Sequence, residues 1–369
     1  MWTTRNCWLS RRKNIRASDI MKRRVSILLA ALLLLGTILT GCGDSAPKKA
    51  APYDGKDYIR MSELTPEGED PGKAVQDYVY EKNYDSLLSV PTYITRVDDV
   101  WFIVDCYHNR VLFTDKLGTP IDQWNIMCNK AYYPHTIASD GTVYLIDDTE
   151  LNRILVYEKV DGVFINTQVL FDIGNRPHYC AYDEISDTFY VWSSGTGEMY
   201  CLRRQADTST VYLTDIKKIE QLSDIYVRSF TIIGDEVYFA SGVSPSGARP
   251  QILVCDIDTF AVKRAIDVPD EMAGMVQIMP IDDMFYITVS TDITGNQDYA
   301  TILRCKSLED LAEGQYEDIY SEYFVGGGTP YNLSKVDDTY YLTEHRLKDH
   351  QIWSFKVENK EVTQVTSVY

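Results

Sequence analysis

The stretch Val90 to Ile126 carries a pattern that returns five more times, and this repetition constrains the fold more than any other feature of the chain. It reads as a Pro-led apolar run, an acidic turn at Asp98-Asp99, the run Val100-Trp101-Phe102-Ile103-Val104, a polar loop, then Arg110-Val111-Leu112-Phe113, a Gly118 turn and a last strand through Trp124. Anchored on the residue after each acidic turn, the copies begin at Val100, Val143, Thr188, Val237, Met284 and Thr339, at intervals of 43, 45, 49, 47 and 55 residues. After each turn comes an apolar-aromatic strand: VWFIV, VYLID, TFYVW, VYFAS, MFYIT and TYYLT. Third strands begin at Val111, Ile154, Met199, Ile252, Ile302 and Ile352, 11 residues past the anchor in the first three repeats and 15, 18 and 13 past it in the last three. A loop has therefore grown between the second and third strands of repeats four to six.

Six such units of four short strands predict an all-β chain, a six-bladed β-propeller of four-stranded antiparallel blades, closing a ring that leaves few sheet edges exposed. A pair of β-sandwiches does not predict the even spacing. The runs Asn109-Arg110-Val111-Leu112-Phe113 and Asn152-Arg153-Ile154-Leu155-Val156-Tyr157, each followed by a Gly turn, and the Pro-His-x-Ile-Ala before the second anchor resemble NHL-type propellers. That resemblance implies the fold and carries no function with it. Each blade is complete within its own repeat, so the ring closes either by packing alone or with Ala74 to Leu88, a helix or a leading strand, across the joint.

The N-terminus supplies an address. Met21-Lys22-Arg23-Arg24 is a basic start and Val25 to Leu39 an apolar run of fifteen residues, short of the roughly 20 needed to span a bilayer. Leu39-Thr40-Gly41-Cys42 then resembles the bacterial lipobox. The resemblance implies cleavage before Cys42, diacylglyceryl on its sulfur, and a mature protein held at the cell membrane facing away from the cytoplasm, anchored by acyl chains such as palmitate. Asp19 and the polar residues before Met21 suit an export signal poorly, which points to Met21 as the true start. The organisation expected is thus 1–41 extension and signal, 42–72 lipidated N-terminus and flexible linker, and 73–369 propeller.

Charge narrows the partners. Beyond residue 41 the chain holds 28 basic and 53 acidic side chains, a net charge of −25. Such a surface repels phosphate backbones, so nucleic acid is excluded as a natural partner. The body contains Cys106, Cys128, Cys180, Cys201, Cys255 and Cys305 without CxxC or Cys/His metal spacing, and no cofactor is implied. Four of them sit in strand-like runs as small hydrophobes; Cys106 and Cys128 could meet at one sheet edge as a disulfide, a pairing the sequence leaves open.

Propeller topology puts the start of each inner strand and each second-to-third-strand loop on one face, the channel mouth. Counting back eight residues from the anchors gives Thr92, His135, Ser229, Val276 and Tyr331, with His178 in repeat three after a longer turn. His135 and His178 hold matching places in neighbouring blades, where they would share an acid/base or metal task, or else hydrogen-bond a neighbouring loop. The grown loops, Ser241 to Pro250, Ser290 to Ala300 and Glu344 to His350, bring Arg249, Asp292, Asp298, Glu344, His345, Arg346 and His350 towards that face. Tyr107, His108 and Trp192 could add aromatic contact area, Trp192 being better suited to the core. The acidic pairs recur at every hairpin, so they are read as turn chemistry rather than Ca²⁺ ligands. No nucleophile-elbow, zincin or phosphate-loop motif is present. Two functions remain: a binding module for a peptide, glycan or partner protein, and a propeller enzyme of lyase or hydrolase type using His135 and His178.

Overall fold

The structure is a computed structural model that describes residues 47–59, 83, 85–240, 242, 244 and 247–369. The signal-like run, Cys42, most of the linker and most of Ala74 to Leu88 lie outside the described residues. The chain divides into two units, 1–48 and 49–369; the first is described only at Pro47 and Lys48. Among the described residues no helix is long and apolar enough to cross a membrane.

The second unit is a six-bladed propeller of four-stranded antiparallel sheets, each formed from strands consecutive in sequence. Inner strands run over Pro91–Val97, Ile137–Ser139, Pro177–Asp183, Phe230–Ile233, Met275–Ile281 and Thr329–Val336. The acidic turns follow them. Asp98, Asp187, Asp282 and Asp337 take φ of 51 to 55°, a left-handed backbone that Asp tolerates better than most side chains.

Second strands are buried on both faces: all six residues of Val100–Asp105, Val143–Asp148 and Thr188–Ser193 are inaccessible. Blades stack face to face, so a central strand has no solvent side, and its sequence is continuous rather than alternating. Six hydrophobic clusters result, each drawing its residues from two neighbouring blades. Phe102 of blade one, for example, packs on Tyr144 and Phe164 of blade two.

Side chains of one blade also reach backbone carbonyls on the inner strand, or just before it, of the next. Thr149 Oγ1 donates to Pro177 (2.8 Å), His178 Nδ1 to Arg228 (2.9 Å), Thr288 Oγ1 to Tyr331 (2.6 Å), and Ser229 Oγ to Val276. Blade six closes on blade one in the same way, Ser334 Oγ donating to Ile94 (2.6 Å), Thr343 Oγ1 to Thr92 (3.2 Å) and His345 Nε2 to Pro91 (3.2 Å). The closing joint thus holds by face-to-face packing and these bonds, with Leu88 joining its apolar cluster.

One expectation needs correcting, and the open Cys106–Cys128 pairing is decided. The linker stretch is not wholly free: Tyr53 bridges Gln205, Ile59 donates its N–H to Leu213 (2.8 Å), Ala50 to Ile185 (2.7 Å), and Tyr53 is buried under Arg203. Residues 49–59 therefore lie along blade three, where they cover part of an otherwise unpaired outer edge. Cys106 and Cys128 are both buried free thiols, not a disulfide. Blade five also departs from the repeat, since its fourth strand shrinks to Glu317–Asp318 beside a 3₁₀ turn, Leu308–Glu313.

The stitching predicts a specific cost. Ser334→Ala leaves the Ile94 carbonyl buried without its donor and should destabilise the chain by about 1–3 kcal/mol in chemical denaturation. Thr142→Ala, at an exposed turn, should stay within about 0.5 kcal/mol.

Candidate functional site

Thr92, His135, His178, Ser229, Val276 and Tyr331, one residue from each blade, meet around the propeller axis, where the space narrows to about 10 Å³, roughly one water. Above this neck lies a cavity of about 230 Å³ whose lining shares Arg228 with the neck and adds Tyr107, Tyr226, Ser290, Gln297 and His345.

The rings form a nearly continuous wall. His135 and His178 stack with centroids 3.7 Å apart, and Tyr226 meets His178 edge-on at 5.4 Å. Tyr331 stacks on His345 at 4.6 Å and lies 6.4 Å from His135. Two like-charged imidazolium rings could not share such a stack without strong repulsion, and burial keeps His178 neutral by pushing its pKa well below the usual histidine value, with His135 and Arg228 adding to the push. Burial likewise lowers His345 to about 3, against the opposing pull of its bond to Pro91. The Tyr331 hydroxyl is driven well above its ordinary pKa, again by burial. His178, His345 and Tyr331 are therefore uncharged near neutral pH.

Behind His135, its backbone N–H donates to Asp147 (2.9 Å) and its Nδ1 lies 2.9 Å from Thr149 Oγ1. Asp147 also accepts from the Thr136 N–H (2.6 Å) and Thr136 Oγ1 (2.8 Å), and Thr149 Oγ1, whose proton goes to Pro177, lies 3.0 Å from it. On the cavity side, Cys106 Sγ is 3.8 Å from His135 Nε2. Burial, aided by Asp147 and Asp105, pushes that thiol up, away from the thiolate form. Among the described residues no group of three or more His, Cys, Asp or Glu side chains could hold a metal ion.

The remaining candidates scatter. His108 pairs with Asp105 (2.8 Å) beside Arg110. Glu344 belongs to the strand Thr339–His345, not a loop, and its buried carboxylate accepts from Tyr320 Oη (2.5 Å) and Trp353 Nε1 (3.0 Å), burial raising its pKa. Arg346 ties two loops together through the Gln297 carbonyl (3.1 Å). Arg249 is exposed, and His350 stacks on Trp353 at 5.1 Å. Asp292 caps its own loop by accepting from Thr294 and Asn296, while Asp298 lines a separate surface cleft with Glu271 and Tyr299. Trp192 is fully buried, its Nε1 donating to Val227 (3.2 Å).

Sequence reasoning missed Tyr226 and Arg228. They lie just before the blade-four inner strand, and counting back from the anchor selects a single depth in the channel, that of Ser229. Arg228 sits one residue nearer the rim, with its guanidinium 5.0 Å from the Tyr226 ring. Gly242 of the grown loop crosses directly against the Tyr226 carbonyl, where a Cβ would collide. An arginine immediately before a mouth position was the available signal.

No protein-family model matches this sequence, and no curated protein matches it. Solved structures do. A protein from Bacteroides uniformis ATCC 8492, provisionally assigned as a 6-phosphogluconolactonase, superposes with a TM-score of 0.53 at 12% identity, covering 76% of this chain and 86% of its own. A second protein with the same provisional assignment, from Bacteroides fragilis NCTC 9343, gives 0.52 at 11% identity, covering 76% and 85%. Likeness at this level shows the propeller fold and nothing finer.

The neutral rings make the fold acid-sensitive. An unfolded histidine takes up a proton near pH 6.5 whereas folded His178 and His345 refuse it, so below that pH the unfolded state binds more protons and stability falls. Each ring contributes a slope of about 1.4 kcal/mol per pH unit below about pH 6. Glu344, with its raised pKa, acts in the opposite sense. Chemical denaturation between pH 7.5 and 5 should show His345→Gln losing stability less steeply than the parent, a comparison in which the Glu344 contribution cancels.

Proposed function

We propose that this chain is a lipid-anchored binding module, an NHL-like propeller held outside the cytoplasm by diacylglyceryl on Cys42, whose mouth receives a group presented by a peptide, glycan or partner protein. The observation that carries this reading is the cavity of about 230 Å³ walled by stacked His and Tyr rings with polar groups at its rim. Flat uncharged faces with a few directional polar groups are what small-ligand sites are made of. The rings are also fixed before any ligand arrives, each being tied to a neighbouring blade or stacked on one that is, so little order has to be gained on binding. The anchor reading rests on the lipobox-like Leu39-Thr40-Gly41-Cys42.

An enzyme is the second reading, and one observation favours it: Cys106, His135, Thr149 and Asp147 follow one another in contact at the cavity wall. Against it, the Cys106 thiol is held protonated and His178 cannot accept a proton near neutral pH, so neither supplies the activated nucleophile or base such chemistry requires. The provisional assignment of the two Bacteroides proteins makes sugar lactone hydrolysis the activity to assay.

The full chain in detergent should gain thermal stability with at least one member of a panel of peptides, cell-wall glycans and co-purifying membrane proteins, and Tyr226→Ala should abolish the gain. Silence across the panel, or lactone hydrolysis that disappears in Cys106→Ala, would overturn the binding reading. In a bacterial host, Cys42→Ala should move the protein from the membrane to the soluble fraction; unchanged membrane association would refute the anchor.

A further inference from the structure

Among the described residues, Arg228 is set apart from the other arginines near the mouth by having nothing to neutralise it. Arg110 is clamped by Asp105 (2.7 Å) and Asp85 (2.9 Å), and Arg176 is paired with Glu150 (2.5 Å). Among the described residues no carboxylate lies within ion-pair distance of the Arg228 guanidinium, and it donates no hydrogen bond there; its neighbour is the Tyr226 ring at 5.0 Å. Yet it lines the cavity with Tyr331 and His345, and its charge is felt by His178, Tyr331 and His345 alike. Asp147, the buried carboxylate behind His135, already accepts three hydrogen bonds. In a chain with a net charge of −18, a half-buried guanidinium with no carboxylate partner among the described residues, facing a cavity lined by His and Tyr rings, is an electrostatic gap.

We propose that the mouth takes a small ring compound bearing one carboxylate, the carboxylate bound by Arg228 and the ring lying against the His and Tyr faces. This deepens the binding reading above and rests on it. A planar guanidinium presents two parallel N–H donors to a carboxylate. One unpaired cation matches one negative charge; a phosphate dianion asks for more donors than the site offers, since Arg176 is already spent on Glu150. Ring faces take either the C–H face of a sugar or an aromatic plane, and the shared chemistry is a six-membered ring with one apolar face and a single acid group. Size agrees. About 230 Å³ is below the usual range of roughly 300–1,000 Å³ for ligand pockets, so a single ring fits and an extended peptide does not.

Ligand-observed NMR titration of the full chain in detergent tests this with D-glucuronate and benzoate, set against D-glucose and benzamide as uncharged counterparts. At least one acid should bind the parent protein more tightly than its neutral counterpart, and which of them does so tells sugar acid from aromatic acid. Arg228→Ala and Arg228→Gln should each weaken that acid by roughly tenfold or more, with Arg228→Lys in between and thermal unfolding of all three close to the parent, because the side chain holds no structural bond. Acids that bind the variants as well as the parent would overturn the inference. So would neutral rings that bind as well as the acids, an outcome that would leave the mouth itself as the ligand site. If no ring compound of either kind binds at millimolar concentration, this inference fails and the mouth reading loses its support with it.

Discussion

Each blade presents to the channel an inner strand with one unpaired edge, and the structure depends on how that edge is satisfied. Backbone carbonyls buried between blades cannot be left without donors. Here the preceding blade supplies them, through Thr149, His178, Ser229 and Thr288 within the ring and Ser334, Thr343 and His345 at its closure. Because the donors come from side chains, their lengths and directions fix how far each blade is rotated about the axis. The apolar clusters beneath supply most of the burial, but burial is non-directional. The stitching gives the ring its register.

The same bonds shape the mouth. His178 and His345 are struts before they are anything else, each giving a ring N–H to the next blade and thereby holding its ring face towards the cavity. A ring anchored in this way is desolvated, and desolvation is what makes it neutral. Structural duty and the chemistry of the cavity wall are therefore one arrangement. The acid/base role considered for His135 and His178 requires a ring free to change charge, and His178, a strut whose centroid lies 3.7 Å from that of His135, is poorly placed to do so.

Much of this was legible in the chain. The period gave the blades, the acidic turns gave the hairpins, and a count back from those turns found one mouth residue in every blade, Val276 and Tyr331 included. Such positions are readable because they obey a local rule. What stayed hidden is non-local: His178 meets a carbonyl fifty residues away and His345 one on the far side of the ring closure, and no single repeat records its neighbour's backbone. Arg228 was passed over because it breaks no pattern within its own repeat; its distinction is the ion-pair partner it lacks among the described residues. Residues 49–59 read as linker because their composition is polar, yet the edge of blade three gives Tyr53 somewhere to bury. Glu344 was placed in a loop because blade six's second strand runs on to His345.

The account stands most directly on the state of two imidazole rings, which ¹⁵N NMR of histidine-labelled protein can read between pH 8 and 5. It predicts a single neutral tautomer for each: His178 protonated at Nδ1, His345 at Nε2, neither ring titrating across that range. Rings that exchange tautomers, or that take up a second proton near pH 6.5 as free histidines do, would show that the mouth is neither stitched to the neighbouring blades nor walled by neutral faces.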